Sequence, residues 1–196
     1  MKFRMTAYRA TTDIPPLVHE AIQGAERLAF THSCTLEVGL LLRVLAAQVR
    51  NGTIGEIGSG CGVGTAWLAS GLLPHVALIT VESDPVNAAR VETLLTGLQN
   101  IEVLRDDWGA IIVRGPFSLL FVDGGDAKQH PDRLLPAMRP GGLILLDDFT
   151  PQELWSPQWR GQPDALRAAW LNRTDIIATE ILVTPTSAVI LAVRNR

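Results

Sequence analysis

Four glycines alternate in the run Glu56-Ile-Gly58-Ser59-Gly60-Cys-Gly62-Val-Gly64-Thr65. Glycine tolerates a positive φ and lets a ligand approach the backbone closely. A turn of this kind at the start of a helix aims free N–H groups at whatever binds there. Glycine-rich turns also arise for purely steric reasons, so neighbouring residues must decide. Glu56 stands two positions before Gly58, and Glu82 closes the next β-rich run. An acidic side chain there can accept both hydroxyls of a ribose. The alternative for Glu82 is an ordinary exposed residue at a strand end.

A second constellation is purely acidic. Asp123 follows the apolar run Phe117–Val122, and Asp147-Asp148 follow Leu143–Leu146. If both runs are parallel strands, the three carboxylates meet at one sheet edge, beside the glycine turn. Mutual repulsion then raises at least one pKa, and a hard divalent cation such as Mg²⁺, held by Asp123, Asp147 and Asp148, relieves it. Neighbours in a strand point to opposite faces. Both Asp147 and Asp148 therefore reach one ion only if the strand has already broken. In the competing reading Asp123 orients substrate or cofactor, and the other two are a solvated strand end.

The elements that must position these groups follow from periodicity. Thr53–Ile57, Val76–Val81, Ile101–Leu104, Ser118–Val122 and Leu143–Leu146 read as strands. Gly64–Leu72, Pro85–Leu98, Trp108–Val113 and Pro131–Met138 read as the helices between them. Apolar strands alternating with helices predict a parallel sheet covered on both faces. Upstream, Asp13, Pro15 and Pro16 predict a helix start, and a second helix runs from Leu36 to about Val49. Downstream, Asp164–Leu171 reads as a helix. Ile176–Val183 and Ala188–Val193, split by Thr184-Pro-Thr, read as a hairpin with at least one antiparallel strand. The fold class is α/β: a Rossmann-like, doubly wound, seven-stranded sheet, mostly parallel, with an antiparallel C-terminal hairpin. It forms one domain, with residues 1–50 as a helical cap, 51–150 as the ligand-binding core, and 151–196 as a lid segment, last helix and hairpin.

Composition bounds the function. The chain has 196 residues, 47% hydrophobic and 19% charged, which suits one globular core. A net charge of -3 with scattered basic residues argues against nucleic acid. Cys34 and Cys61 allow one bridge at most. The N-terminus lacks the apolar run of a signal peptide, and no stretch is long enough to span a bilayer. A cytoplasmic protein without membrane contact is expected.

Glu-Ile-Gly-Ser-Gly-Cys-Gly resembles motif I of class I S-adenosylmethionine-dependent methyltransferases, E-x-G-x-G-x-G, and Val81-Glu82-Ser83-Asp84-Pro85 is similar to their ribose-binding segment. From Ser33 to Thr150 the chain resembles the small bacterial O-methyltransferases akin to the catechol and caffeoyl-CoA enzymes. The resemblance implies S-adenosyl-L-methionine as cofactor, with Glu82 and Ser83 at the ribose. Gly58, Ser59, Gly60 and Gly62 would face the methionine part, and Glu56 its amino group or the loop. It implies Asp107 at the adenine amino group, with Trp108 either on the ring or filling the core. Catechol-type enzymes carry a serine at the position of Gly64; here Thr65 or Ser33 is the implied substitute. Cys34 is either a cofactor-lining thiol or a buried inert one. Asp123, Asp147 and Asp148 stand where the metal-dependent members have Asp, then Asp-Asn. Those members have a lysine three residues after the first aspartate. This chain has Asp126 there, with Lys128 and His130 at five and seven, so both are candidate bases and both have a surface role as the alternative.

The expected function is an O-methyltransferase acting on a small hydroxylated, aromatic acceptor with a divalent metal. A metal-independent enzyme of the same fold and a non-catalytic cofactor-binding protein are the alternatives. An NAD-dependent oxidoreductase fits less well, because no Tyr-x-x-x-Lys occurs. The acceptor pocket is expected among the N-terminal helices, the Gly124–Pro131 loop and the Thr150–Gln162 segment with Trp155 and Trp159. Those aromatics suit either a flat acceptor or packing and a homodimer contact.

Overall fold

The computed structural model describes residues 14–155 and 164–195; Asp13, Pro157 and Trp159 lie outside them. The strands are β1 (Thr53–Ile57), β2 (Ala77–Glu82), β3 (Ile101–Arg105), β4 (Phe117–Val122), β5 (Met138–Phe149), β6 (Ile176–Thr184) and β7 (Ser187–Arg194). They form one sheet in the order β3-β2-β1-β4-β5-β7-β6. β1 to β5 pair in parallel. β7 runs antiparallel between β5 and β6, as the tail hairpin requires.

This order fixes the site. The chain moves from β1 outward to β3, then returns to lay β4 on the other side of β1. Ligands of open α/β sheets bind at such a reversal, beyond the carboxyl ends of the strands. Ile57 pairs with Val122 and Val122 with Leu146. The residues that follow (the glycine turn, Asp123 and Asp147) therefore emerge side by side.

Both faces of the sheet are covered, which is why the central strands lack polar alternation. On one face Leu119, Phe121, Leu145 and Val189 pack under α1 (Pro16–Arg27), α2 (Leu36–Gln48) and α3 (Val63–Gly71). On the other, Leu120, Val122, Ile144, Leu146 and Ile190 form a core with Trp108, Ile111 and Trp170. Each fully buried Leu or Phe contributes roughly 1.5–3 kcal/mol. Among the described residues no helix is long and apolar enough to cross a membrane.

Several boundaries differ from the sequence reading. The helix from Pro85, α4, ends at Leu94 instead of Leu98. Thr93 and Thr96 hydroxyls bond back to the Ala89 and Glu92 carbonyls, and Gly97 turns the chain at φ 90°. The stretch Pro131–Met138 is only a short helix, α6 (Pro131–Leu134), then a 3₁₀ turn (Leu135–Ala137). Pro136 lacks the N–H that would continue it. Met138 instead opens β5 by pairing with Phe117, so β5 is much longer than its apolar centre. Trp108–Val113 shortens to α5 (Gly109–Ile112), and the last helix, α7 (Ala165–Leu171), is capped by Asp164.

Candidate functional site

The glycine turn has the strain that glycine alone accepts. Gly58, Gly60 and Gly62 have φ of 87°, 51° and 88°. A Cβ on Gly58 would lie 2.5 Å from the Gly124 Cα, so the turns after β1 and β4 touch backbone to backbone. The Asp123 and Gly124 N–H groups both donate to the Ile57 carbonyl at 3.0 Å, which locks the two turns together. Glu82 spans the turn from β2: its carboxylate accepts the Gly60 N–H at 2.8 Å and the Asp84 N–H at 2.9 Å. The bracing leaves further lone pairs on both oxygens for a ligand. Asp84 caps α4 by accepting from the Val86 and Asn87 N–H groups, and Ser83 is exposed beside it. The Ser59 hydroxyl is buried, with no partner among the described residues.

Glu56 is fully buried under this turn. One oxygen accepts the Thr65 hydroxyl, and Thr80 stands across from it on β2. Thr65, expected near the cofactor carboxylate, donates its hydroxyl to Glu56 and is itself fully buried. The other Glu56 oxygen explains Gly64, where a Cβ would come within 2.7 Å of it. Burial, opposed by the Thr65 bond, raises the Glu56 pKa to about 7. Between the unfolded value near 4.5 and 7, the folded chain binds more protons than the unfolded one. Stability therefore falls as pH rises through that window. Glu56→Gln is expected to stabilise the fold above pH 7 by up to about 3 kcal/mol, at about 1.4 kcal/mol per pKa unit. The gain in Tm over the parent should vanish towards pH 4.5. A pH-independent difference in scanning calorimetry would refute the burial argument.

The acidic cluster forms as the strand ends require. Asp123, Asp147 and Asp148 bring one carboxylate oxygen each to within 4.8 Å of one another. The strand does break: the β5–β7 register shifts between Leu146 and Phe149, and Asp148 takes a left-handed backbone at φ 61°. That single inversion turns Asp148 back to the side of Asp147, whose carboxylate accepts the Asp148 N–H at 2.8 Å. Burial and the neighbouring Asp147 and Asp148 charges push Asp123 up to about 8, while burial pushes Asp147 up to about 6.

Of the two basic candidates, the structure brings only Lys128 to this cluster. Lys128 lies in a 3₁₀ turn (Ala127–Gln129); its Nζ donates to the Asp147 carbonyl at 2.8 Å and lies 3.7 Å from the Asp148 carboxylate. His130 lies elsewhere, 3.3 Å from Asp126 and stacked on Trp108 at 5.5 Å. Asp126, at the position of the relatives' lysine, accepts the Trp108 indole N–H at 2.7 Å. Trp108 is thus buried between His130 and the Arg133 guanidinium, which lies 4.2 Å from a Trp108 ring centroid. Asp107 is exposed at the start of α5 and accepts the Gly109 N–H. A signal for Lys128 was present in the sequence: only two of the 17 basic residues are lysines, Lys2 and Lys128.

The Ser33–Thr35 segment lies close to the site. The half-buried Cys34 thiol is pushed up first by desolvation, then by Asp123, Asp147 and Glu56. Ser33 and Cys34 help line a cavity of about 250 Å³ with Phe30, Val63 and Trp67. Both cysteines are free thiols. A larger cavity, about 820 Å³, runs between α1 and α4 and meets the glycine turn only at Cys61.

Residues 56–149, from Glu56 through Phe149 and just under half of the chain, match the methyltransferase-domain family. A catechol O-methyltransferase of Niastella koreensis is 30% identical over 121 residues, which cover 56% of this chain and 55% of that protein. The chain spans about half the length of the curated relatives it matches. The O-methyltransferase TomG of Streptomyces achromogenes, solved in complex with SAM, superposes with a TM-score of 0.77 at 20% identity over 95% of this chain and 93% of that one. A Bacillus cereus O-methyltransferase in complex with SAH gives 0.76 at 19% over 95% and 94%. At these identities the likeness of the two structures is one of fold. The matched segment, which holds the glycine turn, Glu82 and the acidic cluster together, is the part of the chain that resembles the methyltransferase-domain family.

Proposed function

We propose that the chain is an S-adenosylmethionine-dependent O-methyltransferase for a small hydroxylated aromatic acceptor, working with a divalent cation. The observation that carries this reading is the left-handed break at Asp148, which gathers three carboxylates and Lys128 beside the glycine turn. The cofactor fits on two counts: the buried Ser59 hydroxyl in the turn has no partner among the described residues, and Glu82 is already oriented by backbone amides. Glu82 would hold the ribose, Gly58 to Gly62 the methionine portion, Glu56 and the partnerless Ser59 hydroxyl its polar end, and Asp107 the adenine. A divalent cation fits Asp123, Asp147 and Asp148, because three carboxylates crowd together there and, among the described residues, Lys128 is the cation that faces them.

When bound, the sulfonium supplies the methyl group and the cation lowers the pKa of the attacking hydroxyl. The chain's own residues do the rest by position. The locked turns after β1 and β4 fix the separation between the cofactor cradle and Asp123. Lys128, once its ammonium has given up a proton to solvent, would take the acceptor's proton on Nζ, which lies beside the Asp147 carbonyl. A metal-independent form is favoured by one fact: the Lys128 ammonium already faces Asp148 and is a built-in cation.

The primary test is calorimetric titration with S-adenosylmethionine and its demethylated product. Binding is expected, and Glu82→Ala should weaken it roughly tenfold to a hundredfold, the loss of charge-assisted hydrogen bonds. Heat with NAD and none with either nucleoside would reverse the assignment.

A further inference from the structure

We propose that α7, outside the matched methyltransferase segment, is the positioning element of the carboxylate–lysine cluster. It acts through two buried side chains one turn apart, Trp170 and Arg167. The inference rests on the proposed function only for what the cluster does; its geometry stands by itself.

Lys128 sits in the connection after β4, whereas Asp148 sits at the irregular end of β5. α7 packs behind both. The Trp170 indole N–H donates to the Lys128 carbonyl at 2.8 Å, and Trp170 is fully buried. The Arg167 guanidinium donates to the Thr150 carbonyl, two residues beyond Asp148. Arg167 is itself 7% exposed, and its charge is met by Asp164 at 3.1 Å and Glu180 at 2.6 Å. Its guanidinium lies 5.9 Å from the ring centroids of Phe149 and Trp155, on the same exit from β5. A planar guanidinium with several donors can hold a carbonyl and two carboxylates at once; an ammonium cannot reproduce that fork. Buried donors of this kind are costly to leave unmade, so each carbonyl is held firmly.

The consequence is a division of labour. The glycine turn and Glu82 bind the cofactor through the core, whereas the register between Lys128 and the acidic pair is set by α7. Trp170 and Arg167 are positioning residues; neither touches the cluster's reacting groups.

Lysine chemistry offers a test independent of methyl transfer, because Lys2 is the only other lysine and serves as an internal reference amine. The full chain, in EDTA, is acylated with limiting acetic anhydride, and the Lys128 to Lys2 labelling ratio is read by mass spectrometry. Lys128 should label slowly in the parent, being 12% exposed and hydrogen-bonded. Trp170→Phe removes the N–H and keeps an aromatic ring; Arg167→Gln removes the fork and the charge. Either variant, if folded by circular dichroism, should raise the ratio about fivefold, the equivalent of one ordinary hydrogen bond. Ile54→Val, a core change on the opposite face of the sheet, should leave it unchanged. The same variants should lower kcat while S-adenosylmethionine affinity holds. A parent-like ratio in the folded variants, or an equal rise in Ile54→Val, overturns the role of α7. Loss of cofactor binding in the parent would overturn the functional reading and leave the labelling result standing.

Discussion

Lys128→Met is expected to lower kcat about 10²–10⁴-fold, the range for removing a positioned proton acceptor, with S-adenosylmethionine affinity unchanged. The reasoning starts from placement. Lys128 is the one described lysine, it is nearly buried, and its Nζ is held between a backbone carbonyl and a carboxylate. Methionine keeps the length of the chain and removes both the charge and the nitrogen. Lys128→Arg separates the two contributions. Arginine retains the charge but does not give up its proton in proteins. If Lys128 is the proton acceptor, Arg fails as Met does. If it serves as the built-in cation of a metal-independent site, Arg keeps much of the rate. His130→Ala belongs in the same series and should stay within a few-fold of the parent, because the imidazole stacks on Trp108 and meets Asp126 away from the cluster. A Lys128→Met enzyme within threefold of the parent would remove Lys128 from the chemistry.

Most of the fold was legible because the sheet is buried on both faces. Runs such as Phe117–Val122 are apolar throughout, and glycine or proline marks their ends. The cofactor cradle was legible for a related reason: a positive φ demands glycine, so Gly58, Gly60 and Gly62 print their geometry in the sequence. The acidic cluster was legible only in part. Strand ends predicted that Asp123 and Asp147 converge, but Asp148 reaches them through a left-handed backbone at a residue other than glycine, which no residue type announces. The relatives' spacing pointed at Asp126, which turns to Trp108 instead. Lys128 takes its place from a 3₁₀ turn. Trp170 and Arg167 were not legible, because each acts on a backbone carbonyl, 42 and 17 positions away. Such a contact leaves no trace in the type of the residue it holds. Thr65 misled for the opposite reason: its position beside the glycine turn suggested a ligand, and its hydroxyl faces inward to Glu56.

Asp123→Asn should give effects of opposite sign on stability and activity. Burial and two neighbouring carboxylates raise the folded pKa of Asp123 from 3.8 to about 8. Between those values the folded state binds the proton that the unfolded state has lost, so stability falls as pH rises, and above pH 8 the full penalty is present. Asparagine has no charge to repel. At pH 8 and above in EDTA, the variant should therefore melt several degrees higher than the parent, at about 2–4 °C per kcal/mol for a chain of this size. Near pH 4 the two should coincide. Mg²⁺ reverses the ranking. It should raise the parent's Tm by binding the folded state alone, and it should do so more strongly as pH rises and the carboxylates give up their protons. The variant should gain little, and its methyl transfer to a catechol should fall at least about a hundredfold, consistent with the loss of a cation ligand. Parent activity that survives EDTA, together with a Tm indifferent to Mg²⁺ at pH 8, would leave Lys128 as the site's cation among the described residues. The stability gain of Asp123→Asn would persist in that case, because it depends on three crowded carboxylates and not on the ion that relieves them.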